Sequence, residues 1–319
     1  MNIVGFDKEF NRLRSLIKEN TLPHAILFTG TEGIGKRQIA TELSRIILCK
    51  ERGEDGCDCL SCRAFREESH PDFHILTPTA KGKASPMIRI DEVGELLTDL
   101  ARLPLLSKCR VALIDDADLM NEAASNRLLK TIEEPTGDIK FFLIASKRSK
   151  ILPTILSRAM PVSFSALDEN VIVKLLTERG AKEETAREAA RLSFGSMKRA
   201  IDLIENDGLT VMDDCLKFLN DNLTHKKIFA MAEIMGKDEK KRISGFFSAL
   251  TLILRDVLLY YEGAADLNGK YRDLIYKYDK ARIFNLLSLT AEYEKRLFAN
   301  VNLRLFIEGY LLKFRRLCL

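Results

Sequence analysis

Nowhere in the 319 residues does an uncharged apolar run reach the ~18 residues needed to cross a bilayer. The nearest candidate, FFSALTLILRDVLLYY (246–261), carries Arg255 and Asp256 at its middle, so no membrane span is expected. The first ten residues, MNIVGFDKEF, hold no apolar signal region, and a cytoplasmic chain is expected. A large charge of one sign is missing too. The net charge is +4, with 31 Lys/Arg against 32 Asp/Glu up to residue 208 and 19 against 14 from 209 to 319. That balance does not build the basic field of a protein whose affinity rests on neutralising phosphates. Any contact with DNA is therefore expected to be weak or shared with partners. No internal repeat or low-complexity segment is present.

What is present supports packed cores: 46% hydrophobic and 30% charged residues, in a length that suits two or three domains. Short β-branched and aromatic runs recur in the first half: HAILFTG (24–30), DFHILT (72–77), RVALIDD (110–116), KFFLIAS (140–146) and MPVSF (160–164). Between them lie apolar residues three and four apart, as in Ile39, Leu43, Ile46 and Ile47, and in Val93, Leu96, Leu97 and Leu100. Alternating strand and helix, with nearly continuous apolar strands, implies a parallel five-stranded sheet covered on both faces. The reading is a three-layer α/β domain over residues 1–164 and three short helices over 165–207, broken near Gly180 and Gly195. An all-helical domain follows over 208–319. There, Ile243, Phe246, Phe247, Leu250, Ile253, Leu254, Val257, Leu258 and Tyr261 form one apolar face, and Phe298, Val301, Leu305 and Leu312 another. Such a face is either core or a surface packed on a neighbouring subunit.

Residues 30–37, GTEGIGKR, follow a strand and open a helix, as a phosphate-cradling loop requires. Gly30, Gly33, Ile34 and Gly35 supply the turn, and Lys36 is placed to reach outer phosphates. A nucleotide such as ATP or ADP can bind there. The eighth position normally holds a Ser or Thr hydroxyl for magnesium, and here it is Arg37. Asp115, ending RVALIDD, is placed to hold the metal. Asp116 stands where hydrolysing relatives of this fold class usually have Glu to orient water. Its side chain is one methylene shorter, a shortfall of roughly 1.3–1.5 Å, and misplacement near 1 Å costs about a hundredfold in rate. Binding is possible, and hydrolysis is not expected.

Four of seven cysteines fall in CKERGEDGCDCLSC, a C-x7-C-x-C-x2-C spacing. In a chain read as cytoplasmic, clustered thiols favour metal over disulfides. Cys49, Cys57, Cys59 and Cys62 suit tetrahedral zinc, with Zn–S about 2.3 Å. The alternative is an inert thiol cluster on a surface loop.

Residues 121–164 carry ASNRLLKTIEEP and LPTILSR, which resemble the A-x-N-x-L-L-K-x-[LI]-E-E-P and L-P-T-I-x-S-R-C signatures of the clamp-loader ATPase subunits of DNA replication, in the AAA+ superfamily. With HAILFTG, the cysteines and HPDF (70–73), the likeness covers about the first 205 residues. It implies that 165–207 is a helical lid and 208–319 an oligomerising collar. It also makes Arg158 an arginine finger acting in trans, and Ser146 a sensor of the γ-phosphate. In GSMKRAI (195–201), Lys198 stands where the family has Arg, and Arg199 lies one step on, turned by about 100°. Arg199 is not expected to reach this chain's nucleotide. The family's cysteines end C-x2-C-x2-C, one residue longer than here. Its Cys after the finger is Ala159. His70, eight residues past Cys62, could substitute as a ligand, but the resemblance places it structurally, before Pro71.

GKR implies a non-motor member that joins gamma/tau and delta subunits in a hetero-oligomeric ring. The ring would load the sliding clamp onto primed DNA. Three rivals stand beside it. A gamma/tau-type motor is opposed by Arg37 and Asp116, and a zinc-dependent DNA-binding regulator by the near-neutral charge. A P-loop kinase would need a hydroxyl-bearing loop and a substrate lid.

Overall fold

The computed structural model describes residues 4–318 except 52, 54–55, 81, 83–84, 136, 206–207, 239, 264–268 and 298–301. The chain forms two compact units, Met1–Ala200 and Ile201–Leu319.

In the first unit five strands, β1 (Ala25–Gly30), β2 (Phe73–Leu76), β3 (Arg110–Ile114), β4 (Ile139–Ala145) and β5 (Met160–Phe164), form one sheet in the order β2-β3-β4-β1-β5. Every neighbouring pair is parallel. The interior strands β3, β4 and β1 are buried almost throughout, which is why they read as unbroken apolar runs. The edge strands are wetter. Pro161, which can donate no ladder bond, sits on edge strand β5.

Helix α1 (Asp7–Lys18) precedes β1, and α2 (Lys36–Leu48), α3 (Leu60–Arg66), α4 (Ile90–Leu100), α5 (Glu122–Glu133) and α6 (Pro153–Leu156) connect the strands. Pleat alternation splits the sheet's side chains between two faces. On one, Leu27, Ile114, Phe141 and Leu143 share a core with Val93, Leu96, Leu128 and Ile132 of α4 and α5. On the other, Phe28 packs edge-on to Phe142 and Phe164 at 5.6 and 4.8 Å between ring centroids. Three short helices follow β5: α7 (Glu169–Glu178), α8 (Glu183–Leu192) and α9 (Met197–Glu205).

The second unit is helical among the described residues: α10 (Gly208–Asn220), α11 (His225–Met235), α12 (Lys240–Tyr261), α13 (Arg272–Lys277), α14 (Lys280–Arg296) and α15 (Leu303–Cys318). Residues 242–261 of α12 are long and apolar enough to cross a membrane by length and composition. Their stripe is instead spent inside this unit, where Ile243, Phe247, Leu250, Ile253, Leu254 and Val257 are buried. Phe247 stacks edge-on to Tyr310 at 4.8 Å, and the Tyr310 hydroxyl is satisfied by Thr290 Oγ1 at 3.0 Å. The second expected face needs correcting. Phe298 and Val301 lie outside the described residues, and Leu305 is 65% exposed. The buried side of α15 is Ile307, Tyr310, Leu311 and Phe314, whose 3–4 spacing points it at α11 and α14.

Candidate functional site

Parallel strands bring their C-terminal ends to one edge of the sheet, where ligands bind in open α/β sheets. The order β3-β4-β1 therefore gathers Asp115, Asp116, Ser146 and the Gly30–Arg37 loop at one edge. The loop turns through left-handed glycines, with φ of 77° at Gly33 and 102° at Gly35, the residue capping α2. A Cβ at Gly33 would sit 2.5 Å from Lys198 Cβ, so only glycine fits beneath the following helices. Ile34 is buried and anchors the loop.

Lys36 folds back on its own loop, donating to the carbonyls of Gly30 at 2.6 Å and Thr31 at 2.7 Å. Burial holds its ammonium below the usual lysine range, against the pull of Asp116, Asp118, Asp115 and Glu32. Arg37 Nη1 lies 3.3 Å from Asp115 Oδ2. The guanidinium thus occupies the carboxylate that was read as a magnesium ligand. Asp116 takes a left-handed φ of 49°, and burial with its acidic neighbours raises its carboxyl pKa.

Sequence reasoning missed Asp118, whose carboxylate accepts from the N–H groups of Ser146 at 3.1 Å and Lys147 at 3.2 Å. It fixes the backbone at the β4 end, and the third acid in DDAD was its only sequence signal. At the loop's outer side, Lys198 Nζ pairs with Glu32 Oε1 at 2.8 Å, the Lys198 N–H donates to Gly33 O, and Ser196 Oγ donates to Glu32 O. Arg199 is exposed.

The four cysteines converge despite their short spacing. Their sulfurs all lie within 4.8 Å of one another, with Cys49 Sγ at 3.7 Å from Cys57 and 3.9 Å from Cys59. Tetrahedral ligands at ~2.3 Å from zinc stand roughly 3.8 Å apart, so the donor set fits zinc in number, chemistry and separation. Cys59 caps α3, and although burial opposes its ionisation, the N–H groups of Cys62 and Lys50 help bring its thiol down to about 6. Arg45, paired with the buried Glu42 at 2.7 Å, donates to Cys62 Sγ at 3.4 Å.

His70 is not among these donors. Its Nδ1 accepts from the Asp72 N–H at 3.1 Å, so Nε2 carries the proton and donates to Ser61 Oγ at 2.8 Å. Ser61 donates onward to the Leu48 carbonyl, and so does Ser107. The chain flanking the cysteines is thereby tied to the α/β core.

Arg158 stands away from this edge, at the end of α6. Its Nε lies 2.7 Å from Glu133 Oε1, and Nη1 donates to Thr154 O at 3.2 Å and Ser157 Oγ at 3.1 Å. Both charged side chains stay about 40% exposed, at 42% and 39%. The Glu133 partnership carried no local sequence signal.

Known proteins match the chain along its length. The family described as DNA polymerase III, delta subunit, matches residues 6–168. A DNA polymerase III subunit delta' of Bacillus subtilis is 28% identical over 96% of this chain and 97% of its own length. One of Pseudomonas aeruginosa is 29% identical over 92% of each chain. A DNA polymerase III subunit tau/gamma of Haemophilus influenzae is 27% identical over 74% of this chain and 36% of its own.

Proposed function

The chain belongs to the delta-prime family of DNA polymerase III clamp-loader subunits, and from that premise we propose that it is the ring's non-hydrolysing member. The observation carrying this reading is Arg37 on Asp115 at 3.3 Å. A metal-bridged triphosphate needs that carboxylate and a hydroxyl at position 37, and this chain offers a guanidinium in both places. Gly30, Gly33, Ile34, Gly35 and Lys36 keep the cradle in which ATP or ADP can rest, with Ser146 beside it. The three helices over 165–207 act as a lid over that cradle.

In this reading Arg158 reaches a neighbouring gamma/tau subunit and faces the nucleotide held there. The site at Cys49, Cys57, Cys59 and Cys62 holds a structural zinc. Residues 208–319 form the collar that joins gamma/tau and delta subunits, and the cytoplasmic ring loads the sliding clamp onto primed DNA. The test is reconstitution. Mixed with gamma/tau and delta subunits, the chain should co-elute in one hetero-oligomer and alone show no ATP turnover. Turnover of about 1 s⁻¹ or more by the isolated chain, abolished by Lys36→Ala, would identify a motor instead.

A further inference from the structure

Helix α2 leaves the nucleotide loop at Lys36 and runs 13 residues to Leu48, about 18 Å away at the α-helical rise. There the C-terminal ends of α1 and α2 and the loop before β3 enclose a groove of about 830 Å³. Ile17, Ile47 and Leu106 contribute aliphatic surface to it. Arg14, Lys18, Lys50 and Lys108 bring four cations to its wall, and no described lining residue is acidic.

The same loop presents Leu103 and Leu105 to solvent at 85% and 75% exposure. Its backbone is firmly held. The buried Asp72 carboxylate accepts from the N–H groups of Leu105, Leu106 and Ser107 at 2.7–2.8 Å, and buried Arg110 donates to the Leu103 carbonyl at 2.6 Å. Two buried charges fix a loop whose leucines stand largely exposed. Rigid presentation lowers the ordering cost of binding, and adjacent exposed aliphatics mark contact surfaces.

We propose that this groove, together with the exposed leucines on the chain leading to its Leu106 wall, docks an acidic, aliphatic peptide segment of a partner protein. Carboxylates meet the cations, and aliphatic side chains cover Ile17, Ile47, Leu106 and the two leucines. Nucleic acid is the poorer occupant. The described lining holds no aromatic ring on which an unpaired base could stack, and aliphatic surface offers a phosphate nothing. Cys49 of the cysteine cluster also lines the groove, but the site is separate from the nucleotide loop and from Arg158, so it stands or falls independently of the proposed absence of hydrolysis and of the finger.

The test titrates the full-length chain at low salt into a fluorescein-labelled peptide of repeating Asp-Leu-Glu-Leu, with oligo-dT as competitor. The peptide should bind. Affinity should fall about tenfold or more in Lys18→Glu with Lys108→Glu, and also fall in Leu105→Ser, while thermal unfolding confirms that each variant is folded. Oligo-dT should not displace the peptide. Absent peptide binding, displacement by oligo-dT, or unchanged affinity in the folded charge-reversed variant would each overturn the proposal. If the cations serve only to offset the carbonyl ends of α1 and α2, the variants will lose stability and keep their affinity, which also overturns it.

Discussion

Arg37 Nη1 reaches across from the start of α2 to lie 3.3 Å from Asp115 Oδ2 at the end of β3. The pair joins residues 78 apart in sequence, and the arginine side chain is 53% exposed. An exposed pair contributes at most ~1 kcal/mol to stability, so its consequence is for ligand chemistry. Arg37→Ser should leave the unfolding transition nearly unchanged and create magnesium-dependent nucleotide binding. Calorimetric titration with ATPγS, with magnesium and with chelator, reads this directly. If the native chain already binds more tightly with magnesium, to the same degree as the variant, the guanidinium does not displace the metal.

Asp72 is fully buried, and its carboxylate holds the 105–107 backbone and faces Arg110 at 3.9 Å. Asp72→Ala strips three N–H groups of their acceptor and a buried guanidinium of its counter-charge, a loss of about 3–5 kcal/mol in urea unfolding. The pH dependence has a definite sign. Burial opposes the charge, but the three N–H donors prevail and hold the carboxyl below its ordinary range. A depressed folded pKa gives stability that is present above the unfolded value, about 3.9, and lost as pH falls towards the folded one. The native chain should therefore lose stability below about pH 4 in a component that Asp72→Ala lacks.

The sheet was legible because its interior strands are buried on both faces, leaving apolar runs that admit no other reading: RVALI and KFFLIA fall within a residue of β3 and β4. The cysteine site was legible from clustering alone. What stayed hidden was the set of partners supplied from afar. Glu133 for Arg158, Asp118 for Ser146 and Asp72 for the 105–107 loop are acids in ordinary helical or loop contexts. Only the fold brings them to their donors, 25 to 35 residues away. The buried side of α15 was misread for a related reason. Apolar residues lie nearly all round that helix, so periodicity could not choose between Leu305 and Ile307.

Roughly one zinc per chain should accompany protein purified without chelator, measured by elemental analysis. Cys59→Ser with Cys62→Ser should abolish it, since two thiolates cannot close a tetrahedral structural site. The α/β core of Leu27, Ile114, Phe141 and Leu143 exists without this segment. Metal loss should therefore raise amide exchange around residues 49–62 and leave the global transition in place, unlike small folds that depend on metal. Unchanged metal content in the double variant would assign the ion elsewhere.

The last expectation concerns Arg158. Its guanidinium rests on Glu133 at 2.7 Å, both side chains are substantially exposed, and no core volume depends on it. Arg158→Ala should therefore leave the chain folded and able to enter the ring. If the arginine faces a neighbour's nucleotide, its charge acts on the transferring phosphoryl group, where such a finger is worth roughly 10³–10⁵ in rate. That contribution belongs to the transition state, so nucleotide affinity at the neighbouring motor site should change less than turnover there. Total ATPase should fall modestly, because the other motor sites keep their own fingers, and clamp loading should fall further if the sites fire together. Glu133→Gln supplies the control. It frees Arg158 from its intramolecular partner without removing the guanidinium, so hydrolysis at that site should persist. Single-turnover hydrolysis in rings built with the native, Arg158→Ala or Glu133→Gln chain separates the cases. Equal amplitudes and rates for native and Arg158→Ala rings would reduce Arg158 to a helix-end arginine paired with Glu133.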